Sequence, residues 1–218
     1  GSDTALKRMN KSANLAANKK ALDILKKYGI YVQAGYILFD DNTTFEELKE
    51  NYDFLREYDW IITKGIFSEM FAADGTLYTE KLKKEDKIVK NDLYDNNKYE
   101  IVDPKVKMTY NALKKWHKSH MKLYDMIIDP ISSPKAIDST GEKSFYNLYY
   151  QLKLKDLDFM KMVLDNVERG ITEEELNEKV LTQIRSNSDF YSSINRSGQA
   201  LCEKYNLNYD GKENPFIR

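Results

Sequence analysis

The chain contains two histidines, His117 and His120, three positions apart in a stretch with helical periodicity. At that spacing both imidazoles fall on one face of a helix, where they could share a metal ion. A zinc site needs a third and usually a fourth ligand, and the sequence positions no further ligand beside this pair. The pattern therefore favours partly buried helix packing next to Trp116 over a metal site.

Cys202 is the only cysteine, which excludes an intramolecular disulfide and fits a reducing, cytoplasmic location. Its apolar helical surroundings predict a small buried side chain. The acidic pair Asp40-Asp41 lies in a predicted loop, and nothing in its spacing assigns general acid or base roles. The sequence shows no nucleophile elbow, phosphate-binding loop or dinucleotide-binding glycine motif, so we predict no catalytic residue and no metal ligand.

Composition excludes several classes of function. The 218 residues include 34 basic and 35 acidic side chains, and 41% are apolar. This balance argues against a nucleic-acid-binding protein held by positive charge, while the apolar fraction is enough for a sizeable core. No apolar run approaches the roughly eighteen residues of a membrane-spanning helix, and no secretory signal opens the chain. We therefore expect neither a nucleic-acid partner nor a membrane partner.

Helical periodicity opens the chain and predicts helices over residues 4–11, 14–28 and 45–58. Asp3 is the expected cap of the first helix, and Asn14 that of the second. Thr44 and Glu47 form a capping box at the start of the third. Gly29 suits the left-handed position just past the end of the second helix.

Two nearly continuous apolar stretches, residues 30–39 and 60–71, follow the second and the third of these helices. Such runs are typical of strands buried on both faces of a parallel sheet. Gly35 indicates a close approach to the backbone, and Gly65 indicates a bulge. Two strands joined through a helix predict a right-handed βαβ unit, so the class of this part is α/β.

The remaining sequence is predicted to be helical after a polar, irregular stretch. Asp103 and Pro104 read as N-cap and first residue of a long helix, and Pro130 and Pro134 interrupt the pattern beyond it. Further helices are predicted over residues 144–168, 172–184 and 189–205. We predict three parts: an α/β unit over 1–84, a linker over 85–102 and an all-α domain over 103–218.

Four short motifs follow one another in the first part. They are Gly1-Ser2-Asp3 with Met9-Asn10-Lys11; Gly35-Tyr36-Ile37-Leu38-Phe39-Asp40; Thr43-Thr44 with Glu46-Glu47-Leu48; and Asp74-Gly75-Thr76-Leu77-Tyr78. In this order and spacing they resemble the radical S-adenosylmethionine (radical SAM) family, well over residues 1–84 and loosely over 85–126. The nearest resemblance is to members with an upstream cobalamin-binding domain, such as the anaerobic magnesium-protoporphyrin ester cyclases. It implies the last βαβ units of a (β/α) barrel, followed by an all-α domain.

The resemblance implies cofactor contacts at Ser2, Lys11, Ile37, Phe39, Ile66 and Phe67. Ser2 would lie near the ribose of S-adenosylmethionine, and Lys11 would pair with its carboxylate, a suitable role for a cation. The four apolar residues would approach the adenine from the fifth and sixth barrel strands. The alternatives stay open: these four also fit a sheet core, and Lys11 also fits a solvated helix end.

The chain departs from the family in lacking the Cys-x3-Cys-x2-Cys motif and the first four strands. We therefore expect this chain alone to be inert and to bind no cofactor. Its longer parent would carry S-adenosylmethionine and a [4Fe–4S] cluster, with cobalamin as a further candidate, for radical chemistry on an unactivated carbon.

Two partners follow from the resemblance: the missing N-terminal half of the enzyme, and a second copy paired through the exposed strand 30–39. The helical domain would shape the substrate pocket of the parent. The alternative from another class is a non-catalytic α/β-plus-helical module that binds a partner protein through its Tyr- and Met-rich helices.

Overall fold

The computed structural model describes residues 1–90, 97–132 and 137–207. In these ranges the chain forms helices α1 Asp3–Arg8, α2 Leu15–Lys27, α3 Phe45–Glu57, α4 Leu77–Lys84, α5 Pro104–Lys118, α6 Met121–Ser132, α7 Ser139–Glu168, α8 Glu173–Ser186 and α9 Ser188–Lys204. Two short strands, β1 Ile88–Lys90 and β2 Lys98–Tyr99, pair antiparallel. Within the described ranges, no helix is both long and apolar enough to cross a bilayer.

Residues 30–39 and 60–71, both predicted as strands, do not form continuous strands. They are two segments, called the first and second extended segments below, that run parallel. They pair at two points, Gln33 with Ile62 and Phe39 with Glu69. Between these points the first segment advances six residues and the second seven, so the second carries one extra residue. Gly65, with φ 73°, lies in this stretch, where we predicted a bulge.

The fold class is therefore confirmed only in part. The described chain is mostly helical, and its one continuous sheet is the β1–β2 pair rather than a parallel sheet. The order helix, extended segment, helix, extended segment is as predicted. The partial barrel is not confirmed, because the extra residue at the bulge breaks the ladder between the two pairing points.

Local sequence signals explain most helix boundaries. Asn14 Oδ1 accepts from the Ala17 N–H at 2.8 Å, and Thr44 forms its capping box with Glu47. The predicted cap of α1 was wrong: Ser2 is the N-cap residue without a side-chain bond, and Asp3 Oδ1 instead accepts from Leu15 N at 2.7 Å.

The long helix predicted from Asp103 to residue 124 is divided into α5 and α6. The N–H groups of Ser119 and His120 bond to carbonyls three residues back, at 3.0 and 3.2 Å, which tightens the chain and ends α5. Pro130 was predicted to break the helix but lies inside the last turn of α6. Pro134 lies outside the described residues.

The largest hydrophobic cluster joins both predicted halves of the chain. Leu38 and Phe39 of the first extended segment share it with Trp116 of α5 and Val163 of α7. A second cluster lies among α6, α7 and α9 and contains Cys202, which is 5% exposed, as expected of a small buried side chain. The division into three parts remains a prediction.

Candidate functional site

The two extended segments leave a stretch of backbone unpaired between their pairing points. Ala34 N donates to Ile62 O at 2.8 Å, and Leu38 N and Phe39 N donate to Ser68 O at 3.1 and 3.0 Å. Between them, the N–H groups of residues 35–37 and 66–67 find no acceptor among the described residues. Because backbone N–H groups need partners, this unpaired window can bind a ligand through main-chain hydrogen bonds.

Gly35 stands in the middle of the unpaired window. A Cβ built on it would meet no described atom within 4 Å, so the backbone is open to an approaching group. Two cavities share residues 34–36 as a wall, one of about 360 Å³ and one of about 500 Å³. The close approach predicted at Gly35 is therefore sterically available.

The first cavity brings together three of the six predicted cofactor contacts: Ser2, Lys11 and Ile37. Ser2 is 1% exposed, and its hydroxyl has no hydrogen-bond partner among the described residues. Ile37, by contrast, is 39% exposed. The cavity thus combines a buried hydroxyl without a partner, an exposed apolar side chain and a cation. This combination suits a ligand that has an apolar body and a polar group at each end.

The other three predicted contacts lie elsewhere. Phe39 and Ile66 are buried in the main core, at 0% and 1% exposed. Phe67 lines the second cavity and forms an aromatic cluster with Phe39 and Tyr110, at centroid distances of 5.7 and 5.2 Å. The structure thus separates the six residues. Three line the first cavity, two lie in the core, and Phe67 lines the second cavity, on the other side of the unpaired window.

The end of α1 directs Lys11 towards the first cavity. Asn10 adopts a left-handed conformation, with φ 53°, and Lys11 N donates back to Leu6 O at 2.9 Å. Asparagine is the residue after glycine that best tolerates this conformation at a helix end. The Met9-Asn10-Lys11 motif therefore has a local physical meaning: it ends the helix and turns the chain back.

Asp40 and Asp41, for which we predicted no acid or base role, are both buried, and each binds a different part of the chain. Asp40 accepts from Arg8 Nε at 2.9 Å and so ties α1 to the loop after the first segment. Asp41 accepts from Lys87 Nζ at 2.7 Å and from Tyr78 at 3.2 Å, which ties the same loop to α4 and β1. Two adjacent carboxylates directly after a predicted strand were the only available signal.

The two histidines have different surroundings. His120 Nε2 lies 2.9 Å from Asp156 Oδ1, which also accepts from Trp116 Nε1 at 2.7 Å. His117 is stacked near Phe67, and burial lowers its pKa, so the neutral imidazole is favoured. The described residues contain no group of three or more side chains placed to hold a metal.

Buried polar side chains of α7 bind the backbone of the second extended segment. Tyr149 donates to Ile61 O at 2.7 Å and accepts from Thr63 N at 2.8 Å, while Lys153 Nζ donates to Ile61 O at 2.6 Å. These bonds satisfy backbone groups that a neighbouring strand would bind in a continuous sheet. They explain how the segment stays extended with only two pairing points.

The fold places the chain in a recognisable class. Its structure is similar to that of OxsB, a cobalamin-dependent S-adenosylmethionine radical enzyme solved with aqua-cobalamin and S-adenosylmethionine bound. The TM-score is 0.57 at 17% identity, and the match covers 96% of this chain and 40% of OxsB. At this identity the likeness shows the fold: the chain is built like part of a radical SAM enzyme.

A curated relative supports the same class from sequence. The anaerobic magnesium-protoporphyrin IX monomethyl ester cyclase of Rubrivivax gelatinosus is 31% identical over 108 residues, covering 47% of this chain and 17% of that protein. No family model matches the chain. The predicted resemblance to the C-terminal portion of cobalamin-associated radical SAM proteins is confirmed, and the chain spans less than half the length of either relative.

Proposed function

We propose that this chain is the C-terminal portion of a radical SAM enzyme. In this proposal it contributes one wall of the S-adenosylmethionine site and a helical domain that shapes the substrate pocket. The single observation that carries it is the unpaired backbone window around Gly35, next to the buried, unpartnered hydroxyl of Ser2. The named relatives support the same assignment from sequence and from fold.

The residues of the window fit S-adenosylmethionine. Free N–H groups at residues 35–37 can donate to the ring nitrogens of an adenine, and a face of the ring suits Ile37. Ser2 Oγ is the buried group available to a ribose hydroxyl, and Lys11 is the cation available to the carboxylate. In radical SAM enzymes the bound cofactor is the source of the radical, and this chain's part is to bind and orient it.

The iron–sulfur cluster does not fit this chain. It requires cysteine thiolates, whereas the sequence has one cysteine, Cys202, buried in α9. The cluster ligands must therefore come from a segment outside these 218 residues. We accordingly propose that the chain is inert by itself, and that the parent reaction is radical chemistry on an unactivated carbon, with cobalamin as a further cofactor.

The decisive experiment uses the full-length protein that contains this chain, purified without oxygen. We expect Cys-x3-Cys-x2-Cys upstream of residue 1, bound iron, and formation of 5′-deoxyadenosine from S-adenosylmethionine and dithionite. Lys11→Met should raise the concentration of S-adenosylmethionine needed for half-maximal product formation by about tenfold, the loss of one charge-assisted contact. Lys7→Met is the matched control, because Lys7 is exposed on the same helix and lies outside the cavity.

If this experiment fails, the alternative function is that of a non-catalytic module that binds a partner protein. A reading frame that starts next to Asp3, or a longer protein that binds no iron, would contradict the radical SAM assignment. Equal responses of Lys11→Met and Lys7→Met would remove Lys11 from the site while leaving the enzyme class standing.

A further inference from the structure

Ser2 and Lys11, which line the first cavity, flank helix α1, and this helix has little apolar packing of its own. It is six residues long, and none of its residues is buried. A helix of this length is unstable in isolation, so its position depends on contacts to the rest of the molecule. Because Ser2 and Lys11 lie at its two ends, whatever fixes α1 also fixes these two side chains.

Arg8 makes the strongest of these contacts. Its guanidinium donates to Glu47 Oε1 and Oε2 at 2.8 and 3.0 Å and to Asp40 Oδ2 at 2.9 Å. The two carboxylate side chains are only 3–4% exposed, and Arg8 itself is 21% exposed. This is a forked, charge-assisted arrangement that the single point charge of lysine cannot reproduce.

The partners of Arg8 are themselves fixed. Glu47 also accepts from Thr44 N at 3.0 Å in the capping box of α3, and Asp40 Oδ1 accepts from Asn42 N at 2.9 Å. Asp40 directly follows the first extended segment, whose residues 35–37 form the unpaired window. Arg8 therefore connects α1 to the rigid side of the same site.

We propose that Arg8 is a positioning residue of the ligand site: through Asp40 and Glu47 it holds α1 against the first extended segment, so that Ser2 and Lys11 face the unpaired window. This inference rests on the proposed function for the identity of the ligand. Arg8 points away from the ligand and acts through the placement of α1. Asp3, bonded to Leu15 N, supplies a second and weaker anchor at the other end of the helix.

The test compares Arg8→Lys and Arg8→Met with Arg56→Met in the full-length protein that contains this chain. Arg56 is the matched control, because its only ion pair among the described residues is a 3.6 Å surface contact to Asp158. Amide hydrogen exchange is followed along the chain, and the affinity for S-adenosylhomocysteine is measured by calorimetry. Arg8→Lys keeps the positive charge and is the variant to measure if Arg8→Met does not fold.

We expect faster exchange confined to residues 3–11 and an affinity about tenfold weaker in Arg8→Lys, with Arg56→Met unchanged. A merely structural role would instead increase exchange in α3 and α7 as well. Wild-type exchange at residues 3–11, or wild-type affinity despite altered exchange, would overturn the inference. Failure of the wild-type full-length protein to bind S-adenosylhomocysteine would remove the proposed ligand, whereas the exchange result would still decide whether Arg8 holds α1.

Discussion

At the residue scale, Lys153 is a lysine whose buried environment departs strongly from its ordinary one. It is 1% exposed, and its amine donates to Ile61 O. Burial lowers its pKa to about 7, only partly offset by Asp59 and Asp156. Its amine is therefore half neutral near neutral pH, which makes the stability of the fold depend on pH.

Lys153 should make the protein more stable as pH rises from about 7 to 9.5. Over this range the unfolded lysine is protonated while the folded one is neutral, so raising the pH favours the folded state, by about 3 kcal/mol in total. Lys153→Met should flatten this dependence of the free energy of unfolding, measured by urea denaturation at several pH values. Lys84→Met, at an exposed position, should keep the wild-type slope; an equal slope in Lys153→Met would contradict the prediction.

Gly65 combines two requirements that can be separated by mutation. It has φ 73°, and a Cβ there would lie 2.6 Å from His117 Nδ1. Gly29 has a similar φ of 67° but open space around it. Gly29→Ala should cost about 1 kcal/mol from backbone strain alone, and Gly65→Ala clearly more, because the clash adds to the strain. Equal losses in thermal unfolding would show that His117 moves aside freely.

At the element scale, the chain uses the same capping motif twice in different surroundings. In the capping box of α3, Thr44 is exposed but Glu47 is buried, whereas Thr172 and Glu175 of the α8 box are both exposed. The Glu47 carboxylate additionally binds Arg8, so the α3 box is part of the ion cluster beside the cavity. The α3 capping box is therefore linked to the Arg8 contact, whereas the α8 capping box is not.

Removing each cap should reveal this difference. Thr172→Ala should cost about 1 kcal/mol, the usual value for an exposed N-cap. Thr44→Ala should cost more and should also speed amide exchange in α1, because the backbone N–H of Glu47 loses its acceptor, Thr44 Oγ1, beside the carboxylate that binds Arg8. Exchange confined to α3 in Thr44→Ala would mean that the capping box and the Arg8 contact act independently.

At the scale of the whole molecule, the first extended segment has a free edge. Its N–H groups at residues 31–33 lack partners among the described residues, and Tyr31 and Ile37 are 40% and 39% exposed. An exposed apolar edge is a template for another strand. In the proposed parent the preceding barrel strand would cover it.

The isolated chain should therefore self-associate through residues 30–39. Sedimentation velocity should show a concentration-dependent dimer, and Ile37→Lys should weaken it by placing a charge on the edge. Leu77→Lys is the control, because Leu77 is 92% exposed in α4, away from this segment. A monodisperse monomer with fast exchange at amides 30–39 would contradict the pairing.

The sequence by itself determined the local features, because these depend on neighbours along the chain. The caps at Asn14, Thr44 and Thr172, the left-handed Gly29 and the bulge at Gly65 follow from residue type and spacing. The short motifs also sufficed for the resemblance to radical SAM proteins, since they keep order and spacing across residues 1–84.

Only the tertiary structure decided how far the extended segments pair and which predicted contacts meet. A run of apolar residues cannot specify whether a neighbouring strand is present, so the continuous sheet was overestimated. Burial of Phe39 and Ile66 depends on α5 and α7, which begin at least 38 residues further along the chain. Ser2, Lys11 and Ile37 line one cavity, and Arg8 links the neighbouring α1 to Asp40 and Glu47. Such long-range ion pairs leave no periodic trace in a sequence.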